Sequence, residues 1–309
     1  MNFRLGARQF FELNAAKPTD SDYLYFVAAS ANTTIHMPKV GSPTVTPSLE
    51  WSMDKATWTN WTPNSDTLTL ANVGDKVYFR NRGTQTALAS GGANYWPFRC
   101  TSGTVRVGGY VNSLLDKDNY KSMTTLEDFA LTGLFRENTG LVDASDLILS
   151  AANLGNRSYA SMFRECTGLV HGPKSWEPPY SFADYSCAWM FQGCTSLLDG
   201  PCRFINGDTL PTPGVFHQMY YGCTMFASHV VFEGGVISSM YAYSSMFQDC
   251  TSLTEITVEW ERWGTSTYVN LNWVEGVPSG GTFHKRAELL TAYGTSNIPP
   301  GWTILNDVL

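Results

Sequence analysis

From about residue 125 onward the apolar positions of the chain recur in one figure. It opens as LFRENTGL at Leu134, MFRECTGL at Met162, MFQGCTSL at Met190, MYYGCTMF at Met219 and MFQDCTSL at Met246, in steps of 28, 28, 29 and 27 residues. With the apolar residue three positions earlier, the figure reads i, i+3, i+4, i+7: Leu131, Leu134, Phe135, Asn138 in the first copy and Tyr159, Met162, Phe163, Cys166 in the second. The later copies run Cys187, Met190, Phe191, Cys194; Phe216, Met219, Tyr220, Cys223; and Tyr243, Met246, Phe247, Cys250. This spacing predicts one apolar stripe along two turns of an α-helix. A helix so short is unstable alone in water, so the stripe is expected to be buried against neighbouring copies. Its fourth position, Asn138, Cys166, Cys194, Cys223 and Cys250, reads as a structural ladder. A buried Cys there behaves as a small apolar residue with a weak donor, not as a nucleophile.

Short extended candidates follow the stripes: LILS at 147–150, RFIN at 203–206, HVVFE at 229–233 and EITVEW at 255–260. They are β-branched or aromatic and flanked by turn residues. In the second copy KSWEPP occupies this place, and Pro178 and Pro179 weaken the strand there. One short helix and one short strand per period of about 28 residues describes a repeat unit that stacks into a solenoid. Upstream, YLYFVAAS, LEWSM, DTLTLA, KVYFR and GTVRVGGYV are short strand patterns separated by turns, as in a small β-sandwich. SMDKATW lies among them as a plain hairpin; it departs from an Asp-box at Ala56 and in the place of its Trp. The expected fold is α+β: an N-terminal arm over 1–21, a β-sandwich over 22–112, a five-unit leucine-rich-repeat-like solenoid over 113–275 and a C-terminal cap over 276–309.

The MFxxCTSL core at this spacing resembles the BspA-type leucine-rich repeats of Bacteroidetes surface proteins and of tail or fibre proteins of phages that infect gut bacteria. The likeness covers about residues 125–275; the copy MYYGCTMF departs from it by ending in Phe226. The resemblance implies a non-enzymatic virion structural protein, a fibre-like tail or head appendage contributing to host-surface contact. It implies an oligomer, with a trimer as one form, attached to other virion proteins through the N-terminal arm and facing a host-surface glycan or protein. A bacterial cell-surface adhesin is the alternative, and a carbohydrate-binding or carbohydrate-active protein the second. The N-terminal stretch lacks an uninterrupted apolar run and a small-residue cleavage site, which favours the virion over the cell surface.

Charge and composition narrow the chemistry. The net charge of −7, with 20 Lys and Arg against 27 Asp and Glu and no basic run, offers no footprint for nucleic acid. The longest apolar runs fall far short of the about eighteen residues of a membrane span. Seven Cys with no CxxC pair read as thiols rather than a disulfide framework. His36, His171, His217, His229 and His284 lie far apart with no partner at a metal-ligand spacing, so no metal is expected. Asp143, Asp146, Asp184, Asp199 and Asp249 fall at turns, where Asp satisfies backbone donors. DKDNYKS at 116–122 lacks the bidentate Glu of a calcium loop. P-loop, GxGxxG and GxSxG patterns are absent, and neither a catalytic residue nor a cofactor is expected. Trp and Tyr crowd the repeats instead. Tyr220 and Tyr243 belong to the apolar stripe, which leaves Trp189, Tyr221 and Tyr241 as candidate partner-binding residues.

Overall fold

The computed structural model describes residues 22–176, 179, 181–206, 212–235, 239–264 and 268–308. The expected N-terminal arm and Pro178 lie outside the described residues. The first half contains β1 (Leu24–Ala28), β2 (Thr33–His36), β3 (Leu49–Ser52), β4 (Thr59–Trp61), β5 (Thr67–Leu70), β6 (Lys76–Asn81), β7 (Arg99–Ser102) and β8 (Val105–Tyr110). Strands β8, β1, β6, β3 and β4 lie side by side, antiparallel, while β5, β2 and β7 form a second sheet. Alternation aims Leu24, Phe26 and Ala28 of β1, Val77 and Phe79 of β6, Ile35 of β2 and Leu68 and Leu70 of β5 into one shared core. The SMDKATW stretch is the β3–β4 hairpin. Asp54 Oδ1 accepts the Ala56 and Thr57 amides at 2.8 Å, and these bonds hold its carboxyl down at about 2.

Past a 3-10 turn at Val111–Leu114 come β9 (Thr125–Leu126), β10 (Leu141–Leu149), β11 (Asn153–Leu154), β12 (Ser175–Trp176), β13 (Ser181–Phe182) and β14 (Arg203–Asn206). Then follow β15 (Val230–Gly234), β16 (Glu255–Val258), β17 (Thr282–Arg286) and β18 (Thr303–Val308). Strands β10 and β12 add to β8 in parallel, so the sandwich sheet continues into the repeats. Strands β14 to β18 form a second parallel sheet in chain order. The two strands contributed by residues 276–309 extend this sheet, and Thr295 and Asn297 accept hydrogen bonds from Val274 N and Trp273 Nε1 of the last repeat.

The expectation of an α+β solenoid with a helix in every repeat is overturned: the described residues contain no α-helix, and the architecture is almost entirely β. The five stripes instead lie on runs of overlapping turns in which every fourth residue has positive φ. In the second copy these are Arg157, Ser161 and Glu165 (φ 53°, 56° and 62°). The amides between turn back on the carbonyl three residues earlier, as Met162 N on Tyr159 O and Cys166 N on Phe163 O. The others point sideways: Arg157, Tyr159, Ser161, Phe163 and Glu165 donate to Asp184, Ser186, Ala188, Met190 and Gln192 of the next copy. A period of four places i and i+4 on one row and i+3 and i+7 on another. Over eight residues that set coincides with an α-helical stripe of period 3.6, which is why the burial is as expected and the helix is not.

The stripes line the interior. Phe135, Phe163, Phe191 and Tyr220 are stacked, with ring centroids 5.1–5.2 Å apart. The column begins at Phe26 of the sandwich, 6.1 Å from Phe135, and continues through Phe247 to Trp273. Beside it, the thiols of Cys166, Cys194, Cys223 and Cys250 donate to the carbonyls of Phe135, Phe163, Phe191 and Tyr220 at 2.9–3.1 Å. Asn138, first in this row, faces the sandwich: its Nδ2 donates to Phe98 O at 3.1 Å and its Oδ1 accepts the Cys100 amide at 3.0 Å. Burial pushes the Cys166 thiol up to about 12 and those of Cys194 and Cys223 well above their ordinary value.

Phe191→Ala is therefore expected to cost about 3–5 kcal/mol in chemical unfolding, because it breaks the ring column at its centre. Cys194→Ala removes one thiol and the donor to Phe163 O and should cost about 1–2 kcal/mol. A thiol reagent added to the folded protein should label half-buried Cys100 and Cys202 and spare the five buried Cys until denaturant is added.

Candidate functional site: an aromatic strip across the repeats

Inward positions of the turn runs build the core; the positive-φ positions lie on the other side in three rows, where Tyr185, Trp189 and Tyr241 are half-buried and Ser161 and Ser245 are buried. The first row reads Phe129, Arg157, Tyr185, Gly214 and Tyr241 and leads to Tyr268, whose carbonyl accepts the Tyr241 amide. The second reads Gly133, Ser161, Trp189, Gln218, Ser245 and Asn272. From Tyr185 onward the aromatics of these rows meet. Tyr185 and Trp189 lie parallel within 5°, their centroids 5.6 Å apart, and His217 of the next copy stands edge-on to both at 6.4 and 5.4 Å. Tyr241 follows 6.1 Å from His217, and Tyr268 5.6 Å from Tyr241. The Arg157 guanidinium closes the other end, 5.3 Å from the Tyr185 ring and 5.6 Å from that of Trp189.

Local features hold this strip. Trp189 Nε1 donates to Gln218 Oε1 at 3.0 Å, which satisfies its polar atom and fixes the indole. Gly214 makes room for Tyr185: a Cβ there would stand 2.2 Å from Tyr185 Cε1, and its φ of +63° suits glycine. Tyr185, Trp189 and Tyr241 themselves adopt φ of 54°, 58° and 61°. The left-handed region costs an L-residue about 1–2 kcal/mol. Glycine occupies it at neighbouring places in the same rows. Non-glycine residues fill most of these places, Phe129, Arg157, Glu165 and Asp249 among them, so the left-handed backbone belongs to the repeat; Tyr185, Trp189 and Tyr241 stand apart because their rings form one connected strip.

No protein-family model, curated protein or solved structure matches the chain. The site therefore rests on its own geometry.

Of the three aromatics singled out in the sequence, the structure brings Trp189 and Tyr241 into one strip and leaves Tyr221 outside its ring contacts. Tyr185, His217 and Tyr268 were missed. The available signal was register: Tyr185, Tyr241 and Tyr268 occupy one position of the repeat. Of the ladder residues, Asn138 and the four Cys form one buried row, away from the strip.

A second polar arrangement lies on the β15–β18 sheet, where one repeat length brings together His residues distant in sequence. His284 Nδ1 lies 2.9 Å from Asp307 Oδ2 and its Nε2 3.2 Å from Glu255 Oε1. His229 Nε2 lies 2.7 Å from Thr257 Oγ1. Hydroxyl, imidazole and carboxylate thus follow in the order of an acyl-transfer site. The His229 Nδ1 to Glu255 distance of 3.7 Å is too long for a hydrogen bond, and the flanking strands are committed to the parallel sheet. Among the described residues no group of three or more His, Cys, Asp or Glu is arranged to hold a metal ion. This row is cross-strand pairing on an open sheet face.

Within the strip, burial lowers the His217 pKa, partly offset by a hydrogen bond with the Ser244 backbone. A lowered value means that the unfolded chain takes up the proton first. The His217 contribution to stability is complete above 6.5, declines as pH falls below that, and levels off below the folded-state value. His217→Phe should flatten the dependence of Tm on pH in this window. Trp189→Gly should change the unfolding free energy by less than about 1 kcal/mol, since relief of left-handed strain offsets the lost ring contact. Loss comparable with that of Phe191→Ala would show that Trp189 serves the fold.

Proposed function

We propose that the protein is a non-catalytic attachment protein whose repeats form a stiff mount for the aromatic strip. The observation that carries this reading is the row of rings from Tyr185 and Trp189 through His217 to Tyr241 and Tyr268, in contact across four repeats and outside the apolar core. Rings held from below by neighbouring repeats, with Trp189 anchored on Gln218, lose little freedom on contact with a partner. The resemblance of MFRECTGL, MFQGCTSL and MFQDCTSL to BspA-type repeats supports placing it in a virion appendage that touches the host. Other virion proteins are then its partners at the mounting end, and an oligomeric assembly, a trimer for instance, multiplies weak contacts into firm attachment. Among the described residues no helix is long and apolar enough to cross a membrane.

Two measurements test this. Immunogold labelling of purified phage particles with antibody to the chain should decorate an appendage; unlabelled particles would remove the virion assignment. The purified protein should bind host-cell surfaces, and Trp189→Ala or Tyr241→Ala should lower retention about tenfold, the loss of one well-placed aromatic contact. Retention unchanged by both substitutions would remove the strip from attachment.

A further inference from the structure

We infer that the strip binds a neutral carbohydrate chain laid across the repeats, a claim that rests on the attachment reading and specifies its ligand. The first argument is shape. Tyr185 and Trp189 lie in one repeat, His217 in the next, Tyr241 and Tyr268 in the two after that, so the strip is one or two side chains wide and four repeats long. A standard protein interface covers about 800 Å² on each partner. A narrow line of rings suits a narrow, extended polymer.

Spacing is the second argument. Successive repeats are held at the separation of hydrogen-bonded strands, about 4.8 Å, and the ring centroids follow at 5.4–6.1 Å from Trp189 through His217 to Tyr241. A pyranose ring is of this size. It offers a face of C–H groups to an aromatic ring and a rim of hydroxyls to whatever borders it. The strip supplies both: flat rings, and beside them the phenols of Tyr185, Tyr241 and Tyr268 and the Gln218 amide.

Charge supplies the third. Arg157 is the single formal charge among the strip's residues, and its guanidinium lies over the rings of Tyr185 and Trp189. A polyanion, whether nucleic acid or sulfated glycan, is held by several cations along its path, and the chain carries a net charge of −7. A cationic peptide finds no carboxylate in the strip. What remains is an uncharged ligand with apolar faces and polar edges.

Affinity electrophoresis in native gels containing dextran, mixed-linkage β-glucan, galactomannan or xyloglucan tests the assignment, with heparin as the anionic comparison. At least one neutral polymer should retard the protein; Trp189→Ala and Tyr241→Ala should each weaken that retardation about tenfold, and Trp189→Phe should largely restore it. Met225→Ala, an exposed substitution outside the strip, should migrate as the parent does. Retardation by none of the neutral polymers, by heparin alone, or unaffected by both alanine substitutions would overturn the inference. Periodate oxidation of host-cell sugars separates the two claims. Attachment that needs Trp189 yet survives periodate would refute the sugar and leave the attachment reading standing, with a protein partner in its place.

Discussion

Everything in the repeat half depends on the sideways amides. In an α-helix each amide bonds within its own segment. Here every other amide of a turn run leaves the segment and bonds to the carbonyl 26–28 residues further on, through five successive copies. An isolated run would leave these groups to water and its apolar stripe uncovered, so it would have neither the hydrogen bonds nor the burial that offset the entropy of ordering it. No copy can therefore be stable alone. The sandwich solves the problem of the first copy: Leu88 N and Phe98 N donate to Ala130 O and Leu134 O, the carbonyls that a preceding copy would otherwise serve. Gly140 permits the fit, since a Cβ there would press within 2.7 Å of Cys100 Cβ. At the far end, Thr295 O takes the amide of Val274. The sandwich and the C-terminal segment are thus the two terminal hydrogen-bonding partners of one continuous array.

The separation imposed by those bonds explains the interior. Repeats held about 4.8 Å apart bring equivalent side chains into direct register. Large flat rings at equivalent positions stack face to face, as Phe163 and Phe191 do within 3°. The position beside them must be small and must offer a donor, because each ring residue's carbonyl points at it. Cys meets both needs in four copies. Asn138 meets them in the first, where its neighbour is a sandwich strand and a second hydrogen bond, from the Cys100 amide, is there to be taken. The same register governs the sheet: Phe204, Phe232 and Val258 align inward, and the row ends at Lys285, whose ammonium donates to Leu289 O at 2.7 Å and Arg286 O at 3.2 Å. An amine at that inward position closes the apolar row by satisfying carbonyls.

Much of this was legible in the sequence, and the failures have definite causes. Repeat length, buried positions and half of the strands followed from apolar spacing, because burial depends on which side chains point inward and not on which backbone aims them. The helix did not follow, since i, i+3, i+4, i+7 is shared by periods of 3.6 and four over so short a run. Polarity hid β2 and β7: TTIH and RCTS carry too little apolar alternation to declare themselves. For the site, Trp189 and Tyr241 were visible as aromatics off the stripe. Tyr185, His217 and Tyr268 were not, because the stripe was drawn on a helix, and a helix places the outer residues on different neighbours. The His229–Thr257 pair was invisible to any search for local ligand spacing. Its 28-residue separation is the repeat itself.

The two faces of a turn run are under different constraints, and this makes the array suitable as a mount. Inward positions are fixed by stacking and by the carbonyl-facing thiol, so they vary little from copy to copy: Met162, Met190, Met219 and Met246 occupy one place. The outward left-handed positions carry Arg157, Tyr185, Gly214 and Tyr241 in one row and Ser161, Trp189, Gln218 and Ser245 in another. Backbone geometry tolerates each at a similar cost, so side chains there can be chosen for contact without disturbing the core. The freedom has a limit set by the close spacing. Tyr185 lies over the backbone of the next copy at Gly214, where a Cβ would stand 2.2 Å from its Cε1, so this ring needs a glycine there. Tyr241 is followed in the same row by Tyr268 without such a gap, their centroids 5.6 Å apart, so the constraint depends on how each ring lies. The contacts between rings along the strip follow from the same hydrogen-bonded spacing that builds the core.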